Sequence, residues 1–230
     1  MSRGRQSGNG IVSGTRAVFA EPQGNVVFEL ARSKLLGTTV EVSMDILERR
    51  LREWYSEHRI PARLGSLKNE DVTGRGKPPK LKAKAAQTRH FAGFAAALCR
   101  DFNSHSQHDE LRLACAESLV DFYNLLEREP RNLSASSLSD LRTFGRRLVT
   151  SYAALHKTTP EGRWKMTPKI HLFQHLCDHQ AAFWGNPRFF WTYCDEDMVG
   201  KMLEVSTSCH PSTMDEIFLY KYMLSQSLQS

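Results

Sequence analysis

At 230 residues, 40% of them hydrophobic, the chain is long enough to bury a core in one moderately large domain or two small ones. No window holds the apolar run that spans a bilayer, and the basic start MSRGRQSGNGIVSG lacks the apolar stretch of a secretory signal. An intracellular protein with no membrane partner is therefore expected, and the formal net charge of +6 favours polyanions instead.

The five cysteines, Cys99, Cys115, Cys177, Cys194 and Cys209, are odd in number and contain no CxxC pair. They point to reduced thiols rather than a disulfide framework. Positive charge is concentrated in one stretch. Between Val72 and Arg100 there is no acid, whereas Arg75, Lys77, Lys80, Lys82, Lys84, Arg89 and Arg100 all lie there. Such a segment attracts phosphate with a strong salt dependence, the alternative being a solvated linker whose lysines serve solubility.

In chain order, residues 1–36 are expected to be flexible or poorly patterned. The first fifteen are rich in Gly, Ser and Arg, and the β-branched run Asn25–Phe28 suits either a short strand or the end of a helix. Residues 37–60 hold an amphipathic helix that starts at Ser43. Met44, Leu47, Leu51 and Trp54/Tyr55 recur at helical spacing, and Pro61 ends the helix near Arg59. Residues 61–79 form a Gly/Pro/charged linker, and residues 80–230 a helical domain.

Within that domain the apolar spacing predicts helices over 80–102, 108–128 and 137–156. A fourth begins at Thr167, with Pro168 at the favoured first position. Two more are expected over 194–205 and 212–227. The fold class is mainly α: an antiparallel bundle of about six to seven helices with a flexible basic N-terminus.

Chemistry-bearing groups crowd into residues 167–201. His171 and His175 lie four apart on one helix face, and His179 extends the row. The pair has metal-ligand geometry but lacks the glutamate of HExxH; further ligands would have to come from Cys194, Cys209 or His210. The alternative is two histidines that hydrogen-bond core or backbone groups at a helix junction. Asp195, Glu196 and Asp197 suit either a helix N-terminus or a hard cation such as Mg²⁺. Arg188, beside Phe189, Phe190 and Trp191, can clamp a phosphate or stack on a base, or simply close a core around the Gly-Asn-Pro turn. Arg142, Arg146 and Arg147 give one helix a basic outer stripe.

The succession Pro168-Lys169-x-His171, His175, Trp191, Glu196 and Lys201 resembles the PKxH…H…W…E…K pattern near the C-terminal end of CACTA-like eukaryotic DNA transposases. The words NPRFFWTYCDEDMVGK and HPSTM are similar to those of a large group of element-derived proteins of protist, dinoflagellate type. The resemblance implies an RNase-H-like enzyme whose Asp, Asp, Glu triad holds two divalent metals and whose last acid follows a helical insertion. It makes Glu196 the third acid, with Asp195 or Asp197 in its place if the register shifts, and gives His171 and His175 a structural or substrate-positioning role.

The chain departs from the pattern at Asp195, which stands where an aromatic is usual, and it matches only the C-terminal, helical part. An orphan third acid cannot assemble a two-metal site. The expected function is a non-catalytic, nuclear module that binds nucleic acid, DNA first, through residues 75–89 and the Arg142/Arg146/Arg147 stripe, and that requires no cofactor. Two alternatives stand beside it. One is a Mg²⁺-dependent fragment supplying Glu196 to a partner core; the other is a bundle whose aromatic residues 183–193 dock a protein.

Overall fold

The apolar stripes of the sequence become the inner faces of a helical bundle. The structure, a computed structural model, describes residues 9–72, 78–159 and 163–190, with side chains from Phe19 onward. No strand occurs among the described residues. The helices are α1 (Asn9–Arg32), α2 (Val40–Glu57), the short α3 (Asn69–Val72), α4 (Ala85–Asp101), α5 (Gln107–Arg128), α6 (Ala135–Thr158), α7 (Pro168–His175) and the short α8 (Ala181–Trp184). A π-helical turn, Leu176–Gln180, joins α7 to α8, and a 3₁₀ turn, Pro187–Phe189, follows.

Neighbouring helices run antiparallel, as cross-contacts in opposite order show. Arg89 pairs with Glu127 and Arg100 with Glu117 between α4 and α5, and Arg147 with Glu117 and Ser137 with Glu129 where α6 faces α5. Both long helices start on serine caps. Ser106 accepts the Asp109 N–H at 3.2 Å, and Ser134 accepts the Ser137 N–H at 3.0 Å. Each cap satisfies a backbone donor that the helix itself cannot, worth about 1 kcal/mol.

The largest departure from the sequence reading is α1. Residues 9–32 are one continuous helix rather than a poorly patterned segment, and Phe19, Val26, Val27 and Leu30 are buried at 0–1% exposure. Residues 1–8 lie outside the described residues. Gln23, Asn25 and Glu29 are buried as well, so the helix has no polar face to solvent over this stretch. A helix surrounded on all sides shows no one-sided stripe, and tertiary burial overrides the strand preference of Val26 and Val27.

Phe19 anchors an aromatic cluster with Phe122 of α5 and Phe173 of α7, centroids 5.1–5.6 Å apart. Each such pair contributes roughly 0.5–1.5 kcal/mol beyond burial. Tyr152 and Trp164 form a second edge-to-face pair at 5.3 Å. The void beside Pro22, Val26 and Trp164, about 10 Å³, is at the lower limit for a single water and holds no small-molecule substrate.

Two helix starts move. α2 is capped by Thr39, whose hydroxyl accepts the Val42 N–H at 3.3 Å. Ser43 instead lies buried one turn inside, donating its own hydroxyl to the Thr39 carbonyl at 2.9 Å. α4 starts at Ala85 rather than at residue 80, because the N–H groups before it go elsewhere. Lys80, Leu81 and Lys82 donate to the carbonyls of Val72, Ala20 and Asp71 at 2.8–3.0 Å. Residues 80–84 are thereby strapped across α1 at Gly24, where a Cβ would meet Lys80 Cα and Leu81 N at 2.6 Å. The expected linker is anchored at its described ends by buried Leu67 and Val72.

Candidate nucleic-acid interface

Strapping residues 80–84 in an extended form decides where its lysines point. Side chains alternate along an extended chain, so Lys80, Lys82 and Lys84 share the outer face while Leu81 turns in, 1% exposed. Alternate positions are roughly 6.6 Å apart, so the row of three cations spans roughly 13 Å. Lys82 and Lys84 form no ion pair with any described residue. Gln87 fixes the end of the strap by accepting the Lys84 N–H at 2.8 Å and donating to the Arg63 carbonyl.

Two further lysines come from the start of α7 and the residues just before it. Lys165, exposed just before α7, and Lys169, half-buried within it, act together with Lys80 on the carboxyl of Glu21. Burial pushes the Glu21 pKa up; the charges of Lys169, Lys80 and Lys165 and the Thr167 hydroxyl oppose that shift without cancelling it. The basic strap and the Pro168-Lys169 start of α7 thus meet over α1. Lys165 was not singled out by sequence, because nothing in its spacing links it to residue 80.

The arginines are placed differently. Arg146 pairs with Asp178 at 3.3 Å, Arg147 with Glu117 at 3.4 Å, and Arg89 with Glu127. Arg142 is half-buried, its Nε without a hydrogen-bond partner. Arg188 donates to the Glu127 carbonyl at 3.3 Å, and its own N–H to Asn186. The stripe is largely neutralised by neighbours, so the lysine strap carries the more open charge. Arg75 and Lys77 lie outside the described residues, as do Trp191, Asp195, Glu196, Asp197 and Lys201. The same holds for Cys194, Cys209, His210 and the helices expected over 194–205 and 212–227.

The Gly185-Asn186-Pro187 turn is structural. Gly185 takes φ +81° against the Arg131 carbonyl, where a side chain has no room. Asn186 is fully buried and donates its Nδ2 to the carbonyls of Leu126 and Glu129 at 2.9 and 2.8 Å, ending α5. Beyond it Phe183, Trp184, Phe189 and Phe190 remain exposed, Phe183 at 83%.

His171 and His175 are exposed and, among the described residues, bond neither core nor backbone. Their Nε2 atoms face each other at 2.9 Å, and the rings stand edge to face. Thr167 occupies the cap position of α7, with Pro168 first, but its hydroxyl makes no bond to the helix N–H groups. The described cysteines are buried free thiols; burial pushes Cys99 and Cys115 up to about 12 and raises Cys177 too, which leaves them unreactive at neutral pH. Among the described residues no three His, Cys, Asp or Glu side chains converge as a metal site, and no helix is long and apolar enough to cross a membrane. No protein-family model matches the chain, and neither a curated protein nor a solved structure matches it.

Proposed function

We propose that the chain is a non-catalytic, transposase-derived helical module that binds nucleic acid, DNA in the first place, through the Lys80/Lys82/Lys84 strap with Lys165 and Lys169 beside it. The observation that carries this reading is the outward row of three lysines, held extended by backbone bonds to α1 and α3. A row pre-ordered in this way meets phosphates without first losing chain entropy, and it contacts backbone rather than base edges. The reading therefore carries little sequence preference and a nuclear site of action, and it needs no bound ion.

The test is binding of labelled duplex and single-stranded DNA across a salt series, with divalent ions chelated. The triple variant Lys80→Glu, Lys82→Glu, Lys84→Glu should weaken binding to every sequence alike and lower the logarithmic salt slope by about 3. Unchanged affinity in a variant of normal helicity rejects the strap as the interface.

A second reading rests on the exposed Phe183, Trp184, Phe189 and Phe190. Exposed aromatics this close together suit a protein partner. Association that ignores salt, with no DNA binding by the parent chain, favours that reading.

A further inference from the structure

The histidine pair has no role in the lysine strap, and its geometry is unusual for two exposed side chains. His171 lies within α7 and His175 closes it, so the two sit one turn apart, and the helix holds both rings on one outer face. Their Nε2 atoms are 2.9 Å apart. In that arrangement one Nε2 must donate and the other accept, so the two rings cannot both be protonated without losing the contact. Neither histidine has another hydrogen-bond partner at that nitrogen among the described residues.

We propose that His171 and His175 form a two-nitrogen site for a divalent transition-metal ion of the Cu²⁺ or Ni²⁺ class. The two Nε2 atoms already lie side by side, so a turn of the exposed rings lets both lone pairs converge on one ion, with metal–nitrogen bonds of about 2.0–2.1 Å. Imidazole nitrogen is the ligand type that Cu²⁺ and Ni²⁺ select, whereas Mg²⁺ selects oxygen. Among the described residues no third ligand joins the pair. Asp178 is occupied by Arg146 at 3.3 Å and by Gln174, and the His179 ring lies 5.4 Å from that of His175, beyond the Nε2 pair.

On binding, the Nε2···Nε2 hydrogen bond is exchanged for two metal–nitrogen bonds, each ring taking the tautomer with hydrogen on Nδ1. Holding the second ligand one helical turn from the first makes its capture intramolecular, and this effective concentration is the source of the affinity.

The experiment is calorimetric titration of the full chain with Ni²⁺, together with the nitrogen hyperfine pattern of bound Cu²⁺ by electron paramagnetic resonance. His171→Ala and His175→Ala should each weaken Ni²⁺ binding on the order of 10²-fold and reduce the Cu²⁺ signal from two nitrogens to one. His105→Ala, exposed on a different loop, should change neither. Circular dichroism confirms that the variants keep their helices. Parent affinity no tighter than that of the His171→Ala/His175→Ala double variant overturns the proposal, as does an equal loss in His105→Ala.

Discussion

Glu21 and Glu29 sit two turns apart on α1, yet their surroundings treat the same carboxyl in opposite ways. At Glu21 the burial cost wins. Three lysines from two segments lie within electrostatic reach, but they stand toward water, and the carboxyl pKa is raised. At Glu29 burial also opposes ionisation, and it is outweighed. The His108 Nε2 lies 2.9 Å away and the Trp164 Nε1–H donates at 2.7 Å, with the Arg112 guanidinium at 3.4 Å, and the pKa is lowered. At Glu29 hydrogen bonds from His108 and Trp164 act together with the charges of His108 and Arg112, and that sum outweighs burial. Around Glu29, near the end of α1, lies a closed polar joint between α1, α5 and the residues before α7. Around Glu21, at the middle of α1, lies a basic surface with a reluctant anion in it.

Removing the joint should have the largest effect. Glu29→Ala leaves Arg112, 5% exposed, without its buried counter-charge, although Asp109 still pairs with it at 2.7 Å. A loss of about 3–5 kcal/mol in urea unfolding is expected. Because the folded pKa lies below the unfolded one, this contribution is fully present above about pH 4.3 and is lost as pH falls through the folded value. The gap between parent and Glu29→Ala should close at acid pH. A gap that persists there means that packing, not charge, holds the joint.

The opposite end of α5 offers a neutral counterpart. Asn186 satisfies two carbonyls that end the helix and accepts the Arg188 N–H at 3.0 Å, all without charge. Asn186→Ala should cost about 2–3 kcal/mol by orphaning buried carbonyls, with no dependence on pH between 4 and 8. Equal pH sensitivity in the two variants would erase the distinction between a charged and a neutral joint.

Much of the frame was legible in the sequence, and the reasons it ran out are physical. α5 and α6 declare themselves because each has one apolar face and one wet face. Leu119 and Phe122, or Leu148 and Tyr152, recur where the core requires them. α1 does not, because burial on every side removes the periodicity that the eye follows. Sequence does not separate Thr39 from Ser43, because both residue types can cap; only the extended backbone at Thr39, φ −122° and ψ 163°, distinguishes them. The lysines of residues 80–84 were legible as charge but not as a row. Reading them as helix put Lys80 and Lys84 on one face and Lys82 off it, whereas three backbone bonds to α1 and α3 hold them extended. Lys165 and Lys169 join that surface through tertiary structure alone.

The smallest predicted effect is the one that links these two places on α1 to function. Glu21→Gln removes an anion that burial disfavours, so at neutral pH the variant should be as stable as the parent or slightly more so, within about 1 kcal/mol after allowance for solvent screening. The sign reverses the Glu29 case. A raised folded pKa means that the parent is penalised above its folded value and not below its unfolded one, so any advantage of the variant should vanish as pH falls toward 4. The same substitution removes one anion from beside Lys80, Lys165 and Lys169. DNA should then bind a few-fold more tightly at low salt, and the gain should fade as screening increases. Tighter binding without a change in fold ties the basic surface to Glu21; weaker binding means that Glu21 holds the lysines in place.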